Sequence, residues 1–221
     1  MVSLLHTTFN TMKIGLFIPC YVDQFYPKVG IATYELLQKL GCDVRFPMRQ
    51  TCCGQPMANS GYEHLTQGCD ANFVANFAEF DYIVCPSGSC VLHVKEHLHD
   101  EKNEELSTKI RKSVFELTEF ITDILKVENI PGHFPHRVGL HQSCHGQRGL
   151  KLSQMSELNA PFFSKPEQLL SKISGIHLVS LNRKDECCGF GGTFCVTEEA
   201  ISAKMGKDRI KDHESQGVEF I

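Results

Sequence analysis

Two stretches of the chain could do chemistry: TCCGQPMANSGY, from Thr51 to Tyr62, and ECCGFGGTFC, from Glu186 to Cys195. Each sets two thiols side by side and follows them with a glycine. Around the first triplet the thiols are evenly spaced. Thirty-one residues separate Cys20 from Cys52 and Cys53, thirty-one more lead to Cys85, and four lead on to Cys90. Around the second triplet, Cys144 lies upstream of Cys187 and Cys188, Cys195 lies downstream, and His141 and His145 flank Cys144. Thiolates are soft, strongly donating ligands that select zinc, Cu(I) or the iron of iron–sulfur clusters. Zinc is satisfied by four ligands in a tetrahedron. Five thiolates exceed that number, and an adjacent pair can reach two irons of one cluster, so the first group favours iron–sulfur. If Cys85 is not a ligand, the count falls to four and zinc regains ground. In the second group, Cys144, Cys187 and Cys188 leave a site that is incomplete or open to an exogenous ligand. Neither group has the tight Cys-x-x-Cys-x-x-Cys run of bacterial ferredoxins. Electrons moved by such sites must go to a separate carrier, so a partner protein is implied.

The elements that must position these thiols alternate. KIGLFIPC (Lys13–Cys20) reads as a buried strand delivering a thiol at its end, GIATYELLQKLG as a helix stopped by Gly41, and DVRFP as a second strand running toward Cys52. HLTQGCDANFVANFAEF suits a helix, and DYIVCPSGSC a strand ending in a loop with Cys85 and Cys90. Strand, helix, strand, helix, strand is the pattern of a parallel sheet, whose functional groups gather past the carboxyl ends of the strands. From Glu101 to Lys126 apolar residues recur at three- or four-residue spacing and predict one amphipathic helix. NIPGHFPHR, with two prolines and a glycine, marks a domain boundary.

The pattern then restarts: RVGLHQSCHG places Cys144 after a short strand, as Cys20 was placed. A helix around EQLLSKISG, the strand HLVSL, the second triplet, a helix EEAISAKMGKDRIKDHESQG and a last strand VEFI follow. The expected fold class is α/β, two duplicated βαβ-type lobes with mainly parallel sheets. The first domain spans 1–130. The second spans 131–221, and its C-terminal end is expected to be truncated, because the loop equivalent to the one at Cys85 does not follow.

Composition narrows the function classes. Apolar residues make up 42% and charged residues 22% of 221, the mix of a soluble globular protein. A formal net charge of -4 gives no general attraction for nucleic acid or an anionic membrane. No apolar run approaches the ~20 residues of a membrane span, and the start MVSLLHTTFN does not read as a secretory signal. A cytoplasmic protein is expected. In that reducing compartment eleven cysteines point to metal or redox work rather than a disulfide framework. Cys42 and Cys69, on helix-associated segments, read as structural. His93, His97 and His99 read as solvated, and His141 and His145 as neighbours of a site rather than ligands. GFGGTF lacks the full Gly-x-Gly-x-x-Gly spacing of a nucleotide fingerprint.

The strings IPCYVDQFYPKVG, TCCGQPMANSGY, PSGSC and CCGFGGTF resemble those of the cysteine-rich CCG-domain proteins, specifically the lactate utilization protein A family. More distantly they resemble the catalytic CCG-bearing subunit of heterodisulfide reductase and the iron–sulfur subunit of glycolate oxidase. The resemblance implies a component of a system oxidising L-lactate to pyruvate with two other lactate-utilization proteins, one bearing ferredoxin-type clusters. In the related reductase subunit each CCG unit holds a noncubane [4Fe-4S] cluster. Carried over, Cys20, Cys52, Cys53, Cys85 and Cys90 match the first metal site, and Cys144, Cys187 and Cys188 the second. Cys195 is commonly Ser or Ala in relatives and is not carried over. Two other readings stay open: a zinc-stabilised scaffold subunit without chemistry of its own, and a disulfide-cleaving subunit of the heterodisulfide reductase type.

Overall fold

A computed structural model describes residues 12–221. The chain divides into two compact units, the first ending at Leu117 and the second running from Thr118 to Ile221.

The first unit is built on a four-stranded parallel sheet. Strand β1 (Lys13–Leu16) leads to helices α1 (Cys20–Phe25) and α2 (Pro27–Lys39), then to β2 (Asp43–Arg45). Helices α3 (Gln55–Asn59) and α4 (Gln67–Phe77) precede β3 (Tyr82–Cys85), which is followed by α5 (Gly88–His97), α6 (Glu104–Ser113) and β4 (Val114–Glu116). The strand order is β2-β1-β3-β4 and every pair is parallel. Its core is apolar: Ile14, Leu16, Ile83 and Val84 on the strands are buried against Leu37, Phe77 and Val91 on the helices. Phe17, Phe73 and Phe77 form an aromatic triad beneath the end of β1, with ring centroids 4.6–5.7 Å apart. Each such pair contributes roughly 0.5–1.5 kcal/mol beyond its buried area.

Three sequence expectations need correction. The stretch 101–126 is not one helix. After α6 the chain turns extended at Val114 and Phe115, and β4 pairs with β3 (Ile83 with Val114, Val84 with Phe115). A β-branched and an aromatic residue completing a ladder outweigh helical periodicity there. Cys90 is not in a loop but is the third residue of α5, and the helix buries His93 rather than leaving it solvated.

The second unit repeats the scheme with less regular structure. It contains most of α7 (Leu117–Glu119), β5 (Arg137–Val138), α8 (Lys165–Leu170), β6 (His177–Leu178), α9 (Phe194–Thr197) and α10 (Glu199–Ser215). β5 pairs in parallel with β6, and on its other side Val138 makes a parallel bridge to Phe220. The order β6-β5-Phe220 matches β2-β1-β3. The segment VEFI therefore lies in its expected place, but as a single bridge rather than a strand.

Gly15 of β1 has no room for a side chain: a Cβ there would stand 2.8 Å from the Phe80 ring and 3.0 Å from that of Phe77. Gly15→Ala should therefore cost about 1–3 kcal/mol through overpacking, seen as a lower urea midpoint. An unchanged midpoint would show that the rings yield freely.

Candidate metal centre

In the order β2-β1-β3-β4 the direction of winding reverses between β1 and β3, and a cleft opens past the carboxyl ends of strands at such a switch point. The thiols of the first unit gather there. Cys20 opens α1 just beyond β1, Cys52 and Cys53 end the segment after β2, Cys85 closes β3, and Cys90 lies in the first turn of α5. Cys20 Sγ is 3.4 Å from Cys52 Sγ. Cys53 lies within hydrogen-bonding reach of both Cys52 and Cys90, and Cys90 also meets Ser87 and Ser89. The result is a row of contacts, Cys20–Cys52–Cys53–Cys90, from three separate segments. Cys85 is wholly buried beside it, near Cys90, with Ser87 N–H donating to its sulfur at 3.4 Å.

Charge is shared unevenly along the row. Hydrogen bonding from Cys53 holds Cys52 down to about 5, against burial. Burial, reinforced by Cys52, pushes Cys20 up to about 11. Cys53 is pushed up by donating to Cys52 and Cys90, and Cys90 is held below the usual thiol range by accepting from Cys53. Four thiols this close cannot all ionise together unless positive charge is placed among them. Soft sulfur donors in mutual contact suit a soft metal or an iron–sulfur group. Among the described residues, no three Cys, His, Asp or Glu donors are arranged to hold a single metal ion.

Local backbone chemistry holds the row in place. Gly54 sits at φ +87°, a left-handed conformation open to glycine, and turns its N–H back to Cys52 Sγ at 3.4 Å. Gln50 clips the same loop to the end of β1: its Oε1 accepts from Ile18 N–H at 2.8 Å and its Nε2 donates to Leu16 O at 3.0 Å. Asn72 of α4 donates to Arg49 O and Thr51 Oγ1. His93 is buried, donates to the Cys53 carbonyl, and is pushed down to about 4 by that burial. None of these three roles is readable in the sequence. Gln50, two residues before the Cys pair, comes nearest to a signal.

The second unit repeats the device. Gly189, at φ +79°, turns its N–H to Cys187 Sγ at 3.3 Å. Cys144 is in hydrogen-bonding contact with Cys187 and close enough to Cys188 to feel its charge, while burial pushes its thiol up. Cys195 instead donates to Gly192 O at 3.0 Å, inside its own loop. Cys42 is buried and pushed up to about 11 by that burial, as a structural thiol should be. Cys69 lies closer to function than expected, beside Gly54 and within electrostatic range of Cys52.

Beneath the sulfurs the two units differ. Gly15 and Gly139 are equivalent strand positions, and among the side chains closing over them Phe77 and His213 correspond, beside Phe80 and Val218. By the same register Phe17 corresponds to His141 and Phe73 to Arg209. The aromatic triad is thus replaced by a polar one. Arg209, 3% exposed, donates from Nε to His141 Nδ1 at 3.1 Å, to the carbonyls of Arg183 and Lys184, and to Asp212 Oδ2 at 3.3 Å. One guanidinium therefore clamps the loops that carry Cys144 and Cys187. Burial pushes His141 down to about 4, with Arg209 adding to the effect. His213 is buried with neither ring nitrogen hydrogen-bonded to the protein.

Comparison with known proteins accords with this picture. Residues 14–95 and 138–221 each match the cysteine-rich domain family called CCG. The chain is 39% identical to lactate utilization protein A of Geobacillus thermodenitrificans over 214 residues, covering 95% of this chain and 85% of that protein. It is also 39% identical to the protein of that name from Halalkalibacterium halodurans (95% and 84% covered) and 38% identical to that from Bacillus subtilis (95% and 86%).

Two outcomes follow. Arg209→Leu leaves the buried Asp212 carboxylate without its counter-charge, held only by the Arg183 N–H at 3.1 Å, and should cost about 3–5 kcal/mol in chemical denaturation, with part regained on adding Asp212→Asn. A full-strength Arg209→Leu protein would contradict the clamp. Asp70 of α4, buried 3.2 Å from Thr66 Oγ1, has its carboxyl pushed up to about 6, chiefly by burial. A raised folded pKa gives stability that is complete below the unfolded value of about 3.9 and lost as pH rises through 6. Asp70→Asn should therefore be more stable than the parent at pH 7–8 and show a flatter stability profile between pH 4 and 6, followed by thermal melts across that range.

Proposed function

The chain belongs to the CCG cysteine-rich domain family and, within it, to the lactate utilization protein A proteins; on that premise we propose that it is the iron–sulfur redox subunit of a cytoplasmic L-lactate-oxidising complex. The observation that carries the reading is the meeting of thiols from separate strand ends, once in each unit, behind the same glycine turn. Cys20, Cys52, Cys53 and Cys90, with Cys85 beside them, would hold the first group, and Cys144, Cys187 and Cys188 the second, in lobes taken as 1–130 and 131–221. A row of sulfurs matches a group of several irons better than one ion. When bound, such groups accept single electrons, whereas lactate gives up two electrons and two protons to become pyruvate. The chain's own residues hold the sulfurs, point backbone N–H groups at Cys52 and Cys187, and bury Cys53 and Cys90 from water. Electrons leave through partner proteins of the same lactate-utilization system, one of them with ferredoxin-type clusters. Among the described residues, no helix is long and apolar enough to cross a membrane.

Anaerobic co-purification with those partners, followed by iron and sulfide analysis, EPR and a lactate-oxidation assay, tests the proposal. The expected result is iron with acid-labile sulfide and lactate-dependent reduction. Cys53→Ser should lower the iron content and abolish turnover. Stoichiometric zinc without sulfide would favour a scaffold subunit, and turnover of disulfides but not lactate would favour a reductase.

A further inference from the structure

The two units differ beside their sulfurs as well as beneath them. In the first unit Ile18 is buried and packs on α2, where a Cβ added to Gly30 would stand 3.3 Å from its side chain. The equivalent residue in the second unit is Gln142, and the helix in the place of α2 is the six-residue α8. There a cleft of about 130 Å³ opens, with Leu140, Gln142, Glu167, Leu178, Ser180 and Lys184 among its lining residues. Two of its polar groups belong to the segments that carry the thiols. Gln142 is two residues before Cys144, and Lys184 is three before Cys187. The Lys184 carbonyl accepts from Arg209 at 3.4 Å, and its ammonium lies 4.8 Å over the Phe162 ring. Glu167, at the start of α8, has its backbone N–H capped by Ser164 Oγ at 3.2 Å.

We propose that this cleft is the binding subsite for a short 2-hydroxy carboxylate, so that the second unit takes the small molecule and the first serves electron transfer alone. The inference rests on the redox reading above and adds to it where the substrate class sits. One ammonium pairs with one carboxylate. Glu167 accepts a hydrogen bond from a hydroxyl and repels a second anionic group, which disfavours dicarboxylates and phosphates. Gln142 and Ser180 supply both donors and acceptors to the same end of the molecule, and Leu140 and Leu178 offer an apolar wall to a methyl group. The volume admits a molecule of a few heavy atoms and excludes nucleotides. An oxo acid has no hydroxyl proton to give Glu167, so the hydroxy acid should bind more tightly than its oxidised product.

The test is calorimetric titration of the full-length, iron-loaded protein under anaerobic conditions with L-lactate, pyruvate and malonate. Wild type should bind L-lactate at least tenfold more tightly than pyruvate or malonate. Lys184→Ala should weaken L-lactate at least tenfold with iron content and circular dichroism unchanged. Glu167→Gln should narrow the preference for lactate over pyruvate, and Gln142→Ile, restoring the first unit's residue, should abolish binding. L-Lactate binding by Gln142→Ile or Lys184→Ala at wild-type strength would overturn the proposal, as would absence of binding to the wild type. If the assembled wild-type complex oxidises lactate and Gln142→Ile oxidises it equally well, the subsite is wrong and the redox reading survives. If the wild-type complex oxidises none while the cleft binds it with the stated preferences, the subsite stands and the redox reading falls.

Discussion

Consecutive side chains diverge in extended backbone, so two neighbouring thiols can serve one site only where the chain turns back immediately after them. Gly54 and Gly189 provide that turn, at φ +87° and +79°. Around Gly189 a Cβ would stand 2.8 Å from both the Met205 side chain and the Ser202 carbonyl, so conformation and space both demand glycine. The same turn aims the glycine N–H at the first sulfur of the pair. From this constraint follows the rest. The pair must sit at a strand end, the strands must be parallel so that other ends lie nearby, and α4 or α10 must approach closely enough to press on the glycine.

Duplication kept that device and changed what supports it. In the first unit three phenylalanine rings pack on one another at the end of β1, three residues before Cys20. In the second, His141, Arg209 and His213 stand at the equivalent positions, and Arg209 does by hydrogen bonding what Phe73 does by packing. A buried guanidinium is costly unless its donors are used, and here they reach a histidine, a carboxylate and two carbonyls. The exchange puts fixed positive charge beneath the Cys144 and Cys187 loops, where the first unit has only hydrocarbon. If both thiol groups hold redox centres, the different surroundings would give them different electron affinities.

Much of this was legible in the chain because thiol spacing and strand–helix alternation are strong, local signals. The repeat, the parallel sheets and the segments of the site could all be read from KIGL, RVGL and the two Cys-Cys-Gly triplets. What escaped depended on tertiary partners. Val114 and Phe115 have helical periodicity and become strand only because β3 offers an open edge. His93 sits in a polar stretch and is buried because α5 turns it toward the Cys53 carbonyl. Gln50 and Arg209 look like surface residues, and their hydrogen bonds reach 32–34 and 25–68 residues away. No window on the sequence contains both ends of those bonds.

Iron K-edge X-ray absorption of the anaerobically isolated protein bears most directly on the central claim that the sulfur rows grip a multi-iron group. The account predicts a first shell of sulfur and a second shell of iron around each iron, with both features diminished in Cys53→Ser. A spectrum without iron–iron scattering, or a protein whose only bound metal is a lone tetrahedral zinc, would contradict it.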